Sequence, residues 1–541
     1  MPPPGMPGGR GGRFGPMTPE EKAAAPKITG ALLKRIFSYL APYWMHMVLI
    51  IVAILISSGL ATLPSVLTGQ IMDKGLIGGF NAVNAGQPVD EALGLLVRLI
   101  LLSFAVFIVS QLINVGESYL NTWVGQHITF DMKNKLYAHL QKMSHRFYST
   151  SKQGDIITRM TSDIDGVQQT ITGTLLNIIQ NAATLVIALA LMFSMDWRLA
   201  ILGIVLVPFF IIPTKVVGTK RWELTRLSQE KNDEINQILN ETLSVSGQQL
   251  VKLFTTEDKE YNKYYETNKA RVALNIRESM VGRWFMLAIG TFTQIGPMLI
   301  YLVGGLLMMK YGSTLTPGEI TVMVALLGRL YGPVNSLLNI QVDLTRSMAN
   351  FTRLFSYFDM PIEIDNAPDA LTPDSVTGDI AFNHVSFHYD PDKEILKDVS
   401  FTVPAGKSVA IVGPSGAGKS TIISLIPRLY DVIDGSITID GNDVRKLDLQ
   451  FLRRNVGVVN QDTYLFNGTI RENLLYANDK STDEQIIQAC KDANIHAFIE
   501  GLPNGYETEI GNRGIKLSGG ERQRVSIARA ILKNTKILIL D

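Results

Sequence analysis

The stretch that decides the fold of this chain is glycine-rich and reads Ile411-Val412-Gly413-Pro414-Ser415-Gly416-Ala417-Gly418-Lys419-Ser420-Thr421. It fits the pattern G-x-x-x-x-G-K-[ST]. The apolar run at 408–412 predicts a buried strand, and residues 421–426 predict the first turns of a helix. A strand, a loop and a helix in this order form the framework that a phosphate-binding loop requires.

The residue types of this loop suit the triphosphate group of a nucleotide. Its glycines allow backbone N–H groups to turn inward, and the N-terminus of the next helix adds a favourable partial charge for an anion. Lys419 would reach the β- and γ-phosphates, and Ser420 would hold Mg²⁺ through its hydroxyl group. We therefore expect the loop to bind a nucleoside triphosphate together with Mg²⁺.

The sequence around the loop predicts an α/β domain at 379–541. Residues 380–387 alternate between apolar and polar side chains, as residues of a strand do. The segment before this domain, 356–378, is rich in Pro, Asp and Asn and is a predicted linker.

Long apolar segments before the linker predict a helical membrane domain at 31–355. A membrane-spanning helix needs roughly 20 mostly apolar residues. The predicted spans are residues 44–67, 93–115, 171–195, 199–214, 284–309 and 320–340. Buried helices of a soluble protein are the alternative, which runs of this length with so little charge disfavour. Residues 31–43 predict an amphipathic helix on the membrane surface.

The distribution of Lys and Arg predicts the orientation of these spans. Positive residues cluster in the loop between the second and third spans and in the loop between the fourth and fifth. Because positive loops stay in the cytosol, the N-terminus, both long loops and the α/β domain are predicted to be cytosolic. We expect a multi-pass protein of the plasma (inner) membrane.

Both long loops show helical periodicity, so we expect the spans to continue as helices beyond the bilayer. Each loop also contains a short connector, around Gly154 and Asp155 in the first loop and around Gly247 and Gln248 in the second. These connectors lie farthest from the membrane, and we expect them to contact the cytosolic domain.

The composition of the 541 residues excludes several classes of protein. The formal net charge of +1 gives no polybasic signature for a nucleic-acid partner. Cys490 is the only cysteine, so an intrachain disulfide and a cysteine metal cluster are excluded, and we interpret it as a small core hydrophobe. Residues 1–30 are rich in Gly and Pro and lack the apolar core of a signal peptide, which predicts a disordered cytosolic tail.

Three further motifs accompany the phosphate loop. Gln461 lies in Val458-Val459-Asn460-Gln461-Asp462, the segment 517–524 reads Leu517-Ser518-Gly519-Gly520-Glu521-Arg522-Gln523-Arg524, and the chain closes on Ile537-Leu538-Ile539-Leu540-Asp541. This set, in this order, resembles the ATP-binding cassette of ABC transporters. The preceding spans with their long cytosolic loops resemble the exporter-type membrane domain of the same family. The resemblance covers residues 31–541.

The resemblance implies a role for each motif. Tyr389 matches the aromatic residue that stacks on adenine, although an ordinary strand aromatic is the alternative. Gln461 and Asp541 match the glutamine and the aspartate that hold Mg²⁺ with Ser420. The signature residues would bind the γ-phosphate of an ATP held by the loop of a partner chain, and they are Leu517, Ser518, Gly519, Gly520 and Glu521.

One cassette with six spans resembles a half-transporter, which implies a dimer with a second such chain. The implied mechanism is alternating access. Two ATP molecules clamp two cassettes together, and the connectors transmit this closure to the spans in the surrounding lipid. The implied function is ATP-driven export of amphipathic small molecules, such as drugs or lipids.

Some positions depart from the family pattern. Glu521 stands where Gln is frequent, which we expect to have little effect, and Asn512 stands where many exporters carry Glu. The sequence stops at Asp541, whereas the family normally continues with the glutamate that activates water and later with a switch histidine. We therefore interpret the cassette as incomplete and expect its catalytic residue directly after Asp541.

Few residues of the sequence indicate what the protein transports. Arg329 in the sixth span and Glu117 near the inner end of the second span are hypotheses for a substrate pathway. The alternatives are a solvated charge in an aqueous cavity and a pair between these two residues. Two other functions stay open, namely an importer with the exporter fold, for siderophores for example, and a catalytically weak ATP-binding partner in a heterodimer.

Overall fold

The computed structural model describes residues 30–541, except residues 87, 207, 512, 513 and 515. The predicted tail up to residue 29 and the departure at Asn512 therefore lie outside the described residues. The described chain divides into two units. The first comprises residues 30–136 and 158–359, and the second comprises residues 137–157 and 360–541.

The first unit is helical, and two short helices of the first long loop, α5 and α6, belong wholly or mainly to the second unit. In chain order the helices up to residue 358 are α1 (Gly30–Leu40), α2 (Trp44–Gln70), α3 (Gly78–Asn84), α4 (Val89–Gln141), α5 (His145–Thr150), α6 (Gln153–Thr158), α7 (Ile164–Gln168), α8 (Leu176–Met195), α9 (Trp197–Leu206), α10 (Pro208–Thr242), α11 (Val245–Leu253), α12 (Glu257–Tyr311) and α13 (Pro317–Phe358). Turns of π-helix interrupt the series at Ile71–Ile77, Arg159–Asp163 and Gln169–Leu175.

Within the described residues, four helical stretches are long and apolar enough to cross a membrane, namely Lys34–Asn84, Val89–Gln141, Gln153–Met195 and Thr293–Tyr311. They overlap the first, second, third and fifth predicted spans. Large apolar side chains on α4 point to the outside, and Leu112, for example, is 66% exposed. Such an apolar exterior suits lipid. The fourth and sixth predicted spans fall on helices α9, α10 and α13, and a total of six spans stays a prediction.

The core of the first unit lies where α8, α9 and α13 meet. Met192, Leu199, Met323 and Leu327 are fully buried there. The start of α13 is fixed by Asp73, whose carboxylate accepts hydrogen bonds from the Thr316 hydroxyl at 2.5 Å and the Gly318 N–H at 2.8 Å. A negative charge at a helix N-terminus is stabilising, so Asp73 ties the turn after α2 to the beginning of the predicted sixth span.

The second unit contains a sheet of four antiparallel strands in the order β2-β1-β3-β4 and a parallel pair, β5-β6. The strands are β1 (Ile380–Asp390), β2 (Lys393–Val403), β3 (Asp434–Ile439), β4 (Asn442–Asp443), β5 (Val456–Val459) and β6 (Ile537–Leu540). The helices are α14 (Lys419–Leu425), α15 (Leu449–Asn455), α16 (Ile470–Leu475), α17 (Asp483–Asp492), α18 (His496–Glu500) and α19 (Gly519–Lys533).

Two apolar clusters form the interior of this unit. One packs α14 between the sheets and includes Phe382, Phe387 and Leu425. The other joins α16, α17 and α19 and includes Cys490 and Val525. Burial raises the pKa of the Cys490 thiol, as expected for a core side chain.

The alternation at 380–387 lies in β1, and the helix predicted after the glycine-rich loop is α14. The predicted buried strand at 408–412 is wrong, because this segment forms no strand and Val412 is 87% exposed. A strand needs a neighbour that accepts its backbone hydrogen bonds. In this structure β5 and β6 pair with each other, and 408–412 joins neither of them.

We predict that Asp440 makes the second unit sensitive to acid. Although burial acts in the opposite direction, hydrogen bonds from the Thr377 hydroxyl (2.5 Å) and the Asp379 N–H (2.9 Å) hold the pKa of Asp440 below its usual range. Its contribution is present above about pH 4 and is lost as the pH falls through the folded-state pKa. Asp440→Asn keeps the left-handed backbone (φ +51°) and should remove about 1 kcal/mol at pH 7.

Thermal unfolding of the full chain in detergent between pH 3 and pH 7 measures this effect. The control is Asp479→Asn, which changes an exposed carboxylate elsewhere in the unit. Equal acid sensitivity of the Asp440→Asn variant and the unmodified chain would contradict the assignment.

Candidate functional site

The glycine-rich loop has the backbone geometry that a phosphate-binding loop needs. Gly416 and Gly418 adopt φ angles of +82° and +89°, which side chains of L-residues rarely allow. A Cβ atom on Gly418 would lie 2.6 Å from Leu396 Cδ2. Residues 413–417 are exposed, so the loop between the sheet and α14 is open to a ligand.

Lys419, the first residue of α14, folds back over this loop. Its Nζ atom donates hydrogen bonds to the Gly413 carbonyl oxygen at 3.0 Å and to the Pro414 carbonyl oxygen at 2.8 Å. A positive charge therefore lies at the loop and at the N-terminus of a helix. An anion that enters the loop meets both.

A polar group suited to a divalent cation lies beside the loop. The Ser420 hydroxyl is 3.5 Å from Asp541 Oδ1, and the Asp541 N–H donates to the Val459 carbonyl oxygen at 2.9 Å. Gln461 follows β5 closely, just as Asp541 follows β6, so both lie beyond the carboxyl ends of two paired parallel strands. The Gln461 side chain is exposed.

The donors at this edge fit Mg²⁺ bound together with a phosphate. Mg²⁺ prefers oxygen ligands and usually combines one or two carboxylates with phosphate oxygens and water. No group of three or more His, Cys, Asp or Glu side chains that could hold a metal ion occurs among residues 30–541 as described. A cation here would consequently depend on the nucleotide for part of its shell.

Tyr389, near the end of β1, contacts the first turn of α14 directly after the loop. Its hydroxyl donates to Thr421 Oγ1 at 3.2 Å, and its ring makes edge contacts with Phe387 and Tyr430 at centroid distances of 4.9 and 5.1 Å. The ring is 42% exposed, so a planar ligand can still reach it. The structure thus brings Tyr389 to the same loop as Lys419.

The segment at 517–521 starts helix α19. Ser518 is the N-cap, and its hydroxyl accepts a hydrogen bond from the Glu521 N–H at 3.4 Å, while Glu521 Oε2 accepts one from the Ser518 N–H at 2.6 Å. Leu517 is buried, whereas Gly519 and Gly520 are exposed. No hydrogen bond described for this part of the chain joins the segment to the glycine-rich loop.

The sequence analysis did not predict the side chains by which the first long loop is hydrogen-bonded to the rest of the second unit. Ser144 donates to Glu363 Oε2 at 2.7 Å, and His145 Nδ1 lies 2.8 Å from the Tyr430 hydroxyl. Gly154 and Asp155, the predicted connector, lie in the next helix, α6, and Gly247 and Gln248 lie in α11. The serine at the start of α5 was the available signal, since serine is a favoured N-cap.

Arg329 and Glu117 lie half-buried in α13 and α4, and they form no ion pair with each other. A cavity of about 290 Å³ opens in the first unit next to α13. Hydroxyl and amide side chains dominate its lining, among them Gln169, Thr170, Thr174, Asn177, Ser336 and Asn350. Ser336 lies about two helical turns after Arg329 on the same face of α13.

Comparisons with known proteins identify the family to which both regions of the chain belong. Residues 47–334 match the ABC transporter transmembrane region, and residues 396–541 match the ABC transporter family model. The chain is 34% identical to the "Putative multidrug export ATP-binding/permease protein YgaD" of Bacillus subtilis (strain 168), over 94% of this chain and 86% of the relative. It is 36% identical to a similarly named protein of Staphylococcus aureus (strain NCTC 8325), over 94% and 87% of the two chains.

A solved structure, described as a bacterial Atm1-family ABC exporter with ATP bound, superimposes with a TM-score of 0.69 and 28% identity. That match covers 95% of this chain and 86% of the other. The order of membrane region and cassette, and the fold of both, are shared along almost the whole length. The chain therefore belongs to the ABC transporters, in which it is a half-transporter of the exporter type.

Proposed function

We propose that this chain exports amphipathic small molecules, such as drugs or lipids, as one half of a dimer in the plasma (inner) membrane. As an ABC exporter it couples ATP hydrolysis to transport. The observation that carries the residue-level proposal is the convergence of Lys419, Ser420 and Asp541, because this group suits a triphosphate and its cation. The names of the relatives support the substrate class.

Each side of the loop would hold a different part of ATP. Tyr389 would stack on adenine, and Lys419 with the backbone of Gly413–Ser420 would bind the phosphates. Ser420, Gln461 and Asp541 would hold Mg²⁺, which supplies positive charge at the phosphate oxygens during transfer. The exposure of Tyr389 and of residues 413–417 supports this division.

A second chain would complete the site. The exposed glycines at the start of α19 can bind a phosphate through backbone N–H groups, and we assign them to the ATP of the partner. Helix α11 supports an interface as well, since Val245 (89%), Leu253 (70%) and Phe254 (70%) are largely exposed. Apolar side chains grouped on a surface are typical of a binding face.

The route of the substrate would pass the face of α13 that carries Arg329. Arg329 precedes Ser336 of the cavity lining on the same helix, and a guanidinium together with hydroxyl and amide groups suits an amphipathic molecule that has an acidic or hydrogen-bonding head. Glu117 on α4 is a second candidate on this route. Nucleotide binding would shift the spans between inward-open and outward-open states only through its different affinity for the two.

We predict that Lys419→Ala lowers ATP hydrolysis by the purified full-length chain at least about 100-fold, because the phosphates lose their main positive partner. Phosphate release in lipid nanodiscs measures the rate. Lys480→Ala removes an exposed lysine of the same unit and should leave it unchanged. Hydrolysis by the lone chain that does not depend on Lys419 would refute the site, and no hydrolysis at all would favour the weak partner of a heterodimer.

The composite site makes a prediction for mixed dimers. In a homodimer of Lys419→Ala, or of Ser518→Ala, both proposed ATP sites carry the substitution. A dimer with one chain of each kind keeps one intact site, because both lesions fall in the other. Photolabelling with an azido-ATP, after purification through two different tags, should therefore recover about half of the wild-type signal. Labelling equal to the mean of the two homodimers would show that the site does not span two chains.

The direction of transport can be tested in inside-out membrane vesicles. An exporter should accumulate a hydrophobic anionic or zwitterionic dye in the lumen when ATP is added outside, because the cassettes face the medium. Vesicles with Lys419→Ala serve as the control. ATP-driven loss of dye from preloaded vesicles would instead favour the importer.

A further inference from the structure

The first long loop holds helix α5 in place in the second unit through side chains that the proposed nucleotide chemistry does not use. Ser144 donates to Glu363 at 2.7 Å, and the next residue, His145, bonds to the Tyr430 hydroxyl at 2.8 Å. The His145 and Tyr430 rings also meet edge to face, with 5.4 Å between their centroids. Since α4 runs without a break from Val89 to Gln141, this loop is covalently continuous with the second predicted span.

The side chain of Tyr430 is buried and held in one position by its surroundings. It is only 6% exposed, and it follows Arg428, a residue with φ +54° and an almost fully buried side chain. The Arg428 guanidinium binds both oxygens of Asp431, at 2.7 and 3.1 Å, and Arg453 donates to the Arg428 carbonyl oxygen at 2.9 Å. A bidentate pair of this kind fixes direction as well as distance. The turn that carries Tyr430 is thereby held rigidly.

Tyr430 also contacts Tyr389. Their rings make an edge-to-face contact at 5.1 Å, and the Tyr389 hydroxyl reaches Thr421 of α14 at 3.2 Å. Aromatic pairs of this geometry have a preferred orientation. One buried side chain therefore separates His145 of the loop from the ring that would receive adenine.

We propose that His145 and Tyr430 are positioning residues through which the first long loop sets the orientation of Tyr389 and so the affinity for the nucleobase. The proposal rests on the adenine role proposed for Tyr389. When the His145 hydrogen bond is present, Tyr430 holds Tyr389 in the orientation seen here. When the loop moves away, Tyr430 loses its polar partner and the support of Tyr389 changes.

Loss of the His145 hydrogen bond should affect the binding of the adenine end of ATP and not that of the phosphate end. A lost hydrogen bond of this kind should weaken ATP binding about 3- to 10-fold. The affinity for Mg²⁺-tripolyphosphate, which has no base, should stay unchanged, because Lys419 and Ser420 are left intact. This separation distinguishes positioning of Tyr389 from a general loss of structure.

The test uses the full-length chain in nanodiscs. Tyr430→Phe removes the hydroxyl and keeps the ring, and His145→Ala removes the partner. Both should raise the half-saturating ATP concentration about 3- to 10-fold with little change in the maximal rate. His145→Asn, whose amide group takes the place of Nδ1, should restore most of the affinity. Ser149→Ala is the matched control on α5, and it should have no effect.

A double variant completes the test. In a Tyr389→Ala background, His145→Ala should have no further effect on ATP affinity. Equal weakening of ATP and tripolyphosphate, additive effects in the double variant, or a wild-type affinity of His145→Ala would each overturn the proposal. Lys419-dependent binding of ATP by the unmodified chain is measured first, since its absence would refute the proposed nucleotide site itself.

Discussion

The hydrogen bonds from the Lys419 ammonium group to the carbonyl oxygens of Gly413 and Pro414 are the interaction on which the cassette depends. They close the loop around a positive charge, and the left-handed glycines at 416 and 418 make this closure sterically possible. Helix α14 starts at the same lysine, so its N-terminal partial charge adds to that of the ammonium group. The fold thereby presents the positive charge and the backbone geometry that the proposed phosphate site requires.

The N-terminus of α19 is hydrogen-bonded within its own first turn and does not depend on the glycine-rich loop. Ser518 and Glu521 cap each other, so the first turn of α19 is stable by itself and presents Gly519 and Gly520 outward. A capped, glycine-rich helix start needs no partner in its own chain to fold. It is therefore available to a ligand held elsewhere, as the proposed site between two half-transporters requires.

The sequence predicted those elements whose formation depends on residues close together in the chain. The alternation of β1, the helix after the glycine-rich loop and the apolar spans each depend on side chains a few residues apart. The capping box of Ser518 and Glu521 was not predicted, although the S-x-x-E spacing is a local signal for it. The segment 408–412 could not be predicted from its apolar residues, because pairing depends on which neighbouring strand offers its backbone. The bond between His145 and Tyr430 joins residues 285 positions apart and left no local trace.

In the proposed site the two ends of one nucleotide would have different partners. The phosphate end would meet Lys419 of its own chain and the α19 N-terminus of the second chain. The adenine end would meet Tyr389, which rests on Tyr430 and through it on the loop at His145. A ligand shifts a conformational equilibrium only by its difference in affinity between states. Because the two ends would contact different parts of the dimer, dimer closure and loop position would contribute separately to that difference, and a change at one end need not alter the other.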